Sequence, residues 1–164
     1  MGQWRRGRTQ ATLKTFRFMK LMRQFANLPR RAKASLFIAF SALLACRLAL
    51  WVVPFRILRR AIDQSPSVRP ILRSFPTEQL RWAILAGARR IPLASCLTQA
   101  IALHCLMARA GRRSQLRIGV AKDAAGVFQS HAWLEYQGNI LVGGHEDLTR
   151  YVALDTFAAQ ERAG

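Results

Sequence analysis

Between Ser95 and Val142 the hydrophobic period of the chain changes once, at Gly111. Before it, Leu97, Ala100, Ile101, His104, Cys105 and Ala108 recur at helical spacing, which predicts a helix over Cys96 to Ala110. Ser95 stands where an N-cap belongs and Gly111 where a helix stops. The helix is almost continuously apolar, so it is expected at the centre of the core, with His104 a core histidine rather than a ligand. After Gly111 the period is 2. Leu116 to Val120 reads as a strand, Lys122 to Gly126 as a turn, and Phe128 to Tyr136 as a second strand. Gln137-Gly138-Asn139 makes a tight hairpin turn, Ile140 to Val142 a third strand, and Tyr151 to Leu154 a short fourth. Helices followed by an antiparallel meander define an α+β class.

Upstream, the charge is uneven. The 164 residues carry Lys+Arg 26 against Asp+Glu 8, a net charge of +18, and no acid occurs before Asp63. Residues 1–33 form a basic arm in which Thr12 to Asn27 has an amphipathic pattern that suits an anionic membrane surface or a partner. No zinc-finger spacing, aromatic RNA-binding motif or recognition helix accompanies the charge, so nucleic acid is not the expected partner. Residues 34–63 form an apolar helical segment. Its stretch Ala34 to Phe55 approaches the about 20 residues that span a bilayer. Arg47 inside it costs about 2.5–3.5 kcal/mol at a bilayer centre, so a buried or partner-covered helix is preferred to a span. It starts too late for a signal peptide. Asp63 to Pro70 is a turn-rich linker, and Thr77-Glu78-Gln79-Leu80 opens a helix that Pro92 ends. The main folded body is placed at residues 71–155.

Three cysteines without a disulfide framework point to reduced thiols and a cytoplasmic location, with membrane association left open by the basic arm. Cys46 lies in an apolar run and Cys105 deep in the central helix, so both are read as core. Cys96 is different, because it opens that helix. The positive end of a helix and a nearby imidazole both favour a thiolate. The imidazole is His131, near the start of the second strand. Alternation puts His131, Trp133 and Glu135 on one face, and an exposed-face tryptophan beside a histidine suits a peptide-binding cleft. Trp133 and Glu135 are therefore taken as substrate-binding residues.

The run Ser-Cys-Leu-Thr-Gln-Ala-Ile-Ala-Leu-His-Cys-Leu-Met-Ala-Arg-Ala-Gly, then Leu-Arg-Ile-Gly-Val-Ala-Lys-Asp, then His-Ala-Trp-Leu-Glu, resembles the transglutaminase-like cysteine peptidases of lasso-peptide biosynthesis. These are similar to the C-terminal domain of the microcin J25-processing protein. The resemblance covers roughly residues 36–154. It implies a papain-like or transglutaminase-like cysteine peptidase core that removes the leader from a ribosomally made lasso precursor peptide. A separate asparagine-synthetase-like cyclase would then close the ring. The N-terminal residues are helical and basic rather than β-rich, so the PqqD-like leader-recognition protein is expected as a separate chain.

The resemblance assigns Cys96 as nucleophile and His131 as general base and then acid. Relatives place an aspartate about where Gly143-Gly144 stands here, so the third member falls to a neighbour: Asp147 first, with Glu146 and Asp155 as alternatives. A backbone carbonyl or a water is a further way to orient the imidazole. The Cys96 backbone N–H is expected in the oxyanion hole. No metal or cofactor is expected. Two rivals stand beside the peptidase: a transglutaminase-type acyl transferase, in which an amine replaces water, and a non-enzymatic basic membrane-associated scaffold.

Overall fold

The computed structural model describes residues 27–54, 57–58, 68–92, 94–123, 126–144 and 147–153. The chain falls into two units, Met1–Ala34 and Ser35–Gly164. Of the first, the described residues make a turn and the opening of a helix. The amphipathic pattern of Thr12 to Asn27 and most of the Asp63 to Pro70 linker lie outside the described residues.

Helix α1 spans Arg30–Val52. Pro29 accepts from the Lys33 N–H at 3.1 Å, and Val53, bonded to Ala49 at 2.7 Å, closes the last turn before Pro54. Proline lacks the donor and obstructs the preceding turn, so the helix stops there. Only Ser35, Ala39, Leu43 and Cys46 are buried, one stripe at three- and four-residue spacing.

The single turn α2, Pro70–Arg73, has proline in its first position, where a missing N–H costs nothing. Helix α3, Thr77–Ala88, begins after Pro76 and buries Leu80, Ala83, Ile84 and Gly87. A Cβ on Gly87 would come within 3.0 Å of Leu43 Cδ1, so a side chain smaller than alanine is what lets α1 lie close to α3.

Helix α4, Cys96–Arg109, starts where the periodicity places it and ends one residue earlier, with Ala110 as its C-cap. Its C-terminus is a Schellman motif: Gly111 takes φ +74, its N–H donates to Ala108 at 2.9 Å, and the Arg112 N–H donates to Met107 at 2.9 Å. The Arg112 side chain extends the closure, with Nη2 donating to Phe75 O at 2.6 Å. Ala100, Ile101, Ala102, Leu103 and Met107 are wholly inaccessible to solvent. They point in different directions around the axis, so α4 is buried over most of its circumference, and the side of Leu97, His104 and Ala108 is half-buried. Burying each large apolar side chain here contributes about 1.5–3 kcal/mol.

The sheet has four antiparallel strands in the order β3-β2-β1-β4. They are β1, Gln115–Lys122; β2, Phe128–Tyr136; β3, Asn139–Val142; and β4, Val152–Ala153. Gln137 and Gly138 both have positive φ, 50° and 77°, the two-residue hairpin turn whose twist matches its strands. The fold is thus α+β, helices followed by an antiparallel sheet, with α4 packed against α3 and against β1, β2 and β3. Arg81 of α3 ties the layers by donating from Nε to Leu141 O of β3 at 2.6 Å.

Candidate active site

Cys96, the candidate nucleophile, is the first residue of α4. Ser95 holds an extended backbone, φ −64 and ψ 166, and its Oγ accepts from the Thr98 N–H at 3.3 Å. That is the N-cap geometry expected of it. Gln99 adds a stitch, donating from Nε2 to Ala94 O at 3.0 Å, so the segment before the thiol is held by the first turn of the helix it enters. The Cys96 N–H has no carbonyl of its own helix to meet and is available to a developing oxyanion. The thiol is half-buried, whereas Cys46 and Cys105 are buried, as their apolar settings predict. A hydrogen bond with Cys105, and then burial, push the Cys46 thiol well above the ordinary range. Among the described residues the Cys96 thiol makes no hydrogen bond, to His131 or to any other group. Its helix and the strand of His131 are nevertheless packed on each other.

His131 is 4% exposed and lies opposite Gly119 in the β1–β2 register. Its Nε2 lies 2.7 Å from Gly143 O. A carbonyl only accepts, so Nε2 carries the proton, and in the neutral ring Nδ1 is the basic nitrogen. The carbonyl reaches the ring because Gly143 takes φ +83, with its Cα tucked against β2. A Cβ there would sit 2.5 Å from Ala132 O.

Trp133 and Tyr151 flank the imidazole. The Trp133 ring is nearly parallel to it at 6.3 Å between centroids, and the Tyr151 ring is tilted at 5.5 Å. Trp133, Tyr151 and Ala121 form a small apolar cluster with Leu148 against it. Gly119 makes room for the cluster, since a Cβ there would meet Tyr151 Cβ at 2.8 Å and the indole at 3.0 Å. The indole shields the histidine, but one expectation is corrected. At 6% exposure Trp133 is an interior residue, not an exposed wall of a cleft, because the chain after β3 returns and lays Tyr151 over that face.

Glu135 is engaged by the same cluster. Its Oε1 accepts from Trp133 Nε1 at 2.7 Å, and its Oε2 lies 3.5 Å from Arg117 Nε of β1. Both carboxylate oxygens therefore serve the sheet face, and Glu135 holds the indole in place.

Asp147 is also placed differently from expectation. Its Oδ1 accepts from Thr149 N–H at 3.0 Å and from Thr149 Oγ1 at 2.6 Å, capping the 3-10 turn Leu148–Arg150. These two bonds hold its carboxyl below the ordinary aspartate range, with Arg150 adding a smaller pull. The carboxylate serves the turn that delivers Tyr151, and the Gly143 carbonyl is a partner of the imidazole. Glu146 and Asp155 lie outside the described residues. Elsewhere, His104 is half-buried rather than in the core, with Nδ1 at 2.9 Å from Ser114 Oγ.

Three contributors were missed in the sequence: Gly143, Gly119 and Tyr151. A signal existed for the glycines. Glycine inside or just after a strand marks a close approach of another group.

The family whose sequence model matches is described as the transglutaminase-like superfamily, over residues 40–156. No curated protein and no solved structure matches the chain.

Proposed function

The chain belongs to the transglutaminase-like superfamily, and we propose that within it the protein is a cysteine peptidase that removes the leader from a lasso-peptide precursor. The superfamily includes both peptidases and acyltransferases, so the choice rests on this chain's own residues. The observation that carries the thiol-enzyme reading is a capped, helix-opening thiol on a helix packed against the strand of a histidine whose Nε2 is bonded to a carbonyl, and the choice of hydrolysis over acyl transfer rests on the sequence resemblance. The lasso part of the reading is supported by the resemblance of the Cys-Leu and His-Ala-Trp-Leu-Glu motifs taken together with the Gly-Val-Ala-Lys strand between them.

In this reading Nδ1 of His131 takes the proton of Cys96, and the thiolate attacks the carbonyl at the leader–core junction. The Cys96 N–H, at the positive end of α4, stabilises the oxyanion. His131 passes its proton to the departing amine, which frees the core with a new N-terminus. The leader stays on Cys96 as a thioester. Water, deprotonated by His131, then releases the leader as a free acid. A core with a free amine is the substrate an asparagine-synthetase-like cyclase needs, and a separate PqqD-like protein presents the leader.

The test is mass spectrometry of a lasso precursor incubated with this protein and its recognition partner, wild type beside Cys96→Ala. Cleavage at one leader–core bond by wild type alone supports the peptidase. An amine adduct on the leader in place of the free acid moves the assignment to acyl transfer. Equal cleavage by both proteins removes Cys96 as nucleophile.

A further inference from the structure

The apolar helix α1 has two sides. Ser35, Ala39, Leu43 and Cys46 face the protein, and a second apolar stripe is left outside: Phe37, Phe40, Leu44, Leu48 and Trp51. These five follow one another at three- or four-residue steps, so they line one face of the helix, about 145° round from the buried stripe. The face is open: Phe37 is 74% and Trp51 82% exposed. An exposed contiguous patch of this kind marks an interaction surface.

The charge of this part of the sequence selects the occupant. Residues 1–62 contain 14 Lys and Arg and no Asp or Glu. Arg30, Arg31 and Lys33 lie in the first turn of the helix, Arg47 is half-buried within it, and Arg56, Arg59 and Arg60 follow it in sequence. A second copy of the chain would bring the same 14 positive charges and be repelled. A surface that is apolar below and negative above suits both features at once.

We propose that the outer stripe of α1 lies flat in the surface of an anionic lipid bilayer and holds the catalytic unit there. The helix is long and apolar enough to cross a membrane by length and composition. Its attachment argues for lying in the interface instead. Gln79 Nε2 donates to Ser35 Oγ at 3.3 Å, and two turns on Leu43 packs on Gly87, both partners belonging to α3. A helix fastened lengthwise to α3 cannot cross the hydrocarbon without taking α3 in with it, and α3 carries Glu78 and Arg81 on its exposed side. Lying flat, α1 puts the five apolar side chains at the acyl boundary and lets Arg47 extend to the headgroups.

The test is sedimentation of the full chain with vesicles of phosphatidylcholine alone and with phosphatidylglycerol added. Wild type is expected to pellet with the anionic vesicles at low salt and to be released by high salt or alkaline carbonate. The exposed double variant Leu48→Glu/Trp51→Glu is expected to bind at least tenfold more weakly, with an unchanged circular dichroism spectrum. Brominated acyl chains should quench wild-type fluorescence more than that of Trp51→Phe. No binding to anionic vesicles, or equal binding by the double variant, would overturn the proposal. So would resistance to carbonate extraction, which means a span, or a vesicle-free dimer that the double variant dissociates, which means self-association.

Discussion

His131 and Gly143 are joined side chain to main chain, imidazole Nε2 to carbonyl oxygen at 2.7 Å. A carbonyl fixes the tautomer and the ring plane as a carboxylate does, but it brings a dipole rather than a full charge. The orienting group is therefore part of the chain path after β3, and no side-chain substitution nearby removes it directly.

The first prediction separates the two assignments of the third member. His131→Ala should lower kcat/KM for precursor cleavage by about 10²–10⁴-fold, the usual contribution of a general acid–base group. Asp147→Asn should leave kcat/KM within about threefold, since its carboxylate bonds to Thr149. A loss with Asp147→Asn comparable to that of His131→Ala would restore the carboxylate to the site.

Substitution at Gly143 should act through the backbone. Alanine at φ +83 is strained, which costs about 1–3 kcal/mol, and its Cβ would press on Ala132 O. Gly143→Ala should lower stability in urea by at least that amount and also slow cleavage. Normal stability with normal cleavage would show that the turn relaxes without disturbing His131.

Glu135→Ala should destabilise the sheet without touching the thiol. It strands the Trp133 N–H in the interior, a loss of about 1–3 kcal/mol, and removes the partner of Arg117. Urea melts give the loss, and a matching red shift of tryptophan emission would locate it at the indole.

Asp147 predicts a pH effect confined to the turn. Its carboxyl is held below the ordinary range, so the turn gains stability above the unfolded-state pKa and loses it as pH falls through the folded one. NMR titration of Asp147 should show the low midpoint in wild type and a rise toward the ordinary value in Thr149→Ala. Equal midpoints would mean that the Thr149 bonds do not hold in solution.

Thiol labelling tests the burial pattern. Under native conditions one thiol should react with a small alkylating reagent, and all three after unfolding. Cys96→Ser should abolish the native reaction while leaving two sites in denaturant.

Much of this architecture is legible in the sequence because it is written in side chains. Gly111 and Gln137-Gly138 stand where the backbone needs positive φ, so the switch from helix to sheet and the β2–β3 hairpin can be read directly. Ser95 before Cys96 marks the N-cap of the helix that the candidate nucleophile opens. The environment of His131 is less legible. Alternation shows that Trp133 shares its face but not that Tyr151, arriving from beyond β3, will cover it. Nor does any residue type announce a carbonyl that orients a histidine. A carboxylate is the residue type that a third member suggests, and Asp147, the nearest aspartate after Gly144, has its partner two positions away in the chain.

Helix α4 is pinned at both ends, by the Ser95 cap at the thiol and by the Gly111–Arg112 closure at the other. Its length is therefore a gauge. Inserting or deleting one residue between Leu97 and Arg109 would turn the two pinned ends about 100° relative to each other and shift them about 1.5 Å along the axis. Conservative side-chain changes can be absorbed inside α4, but a change in its residue count would force the chain to give up either the cap or the closure.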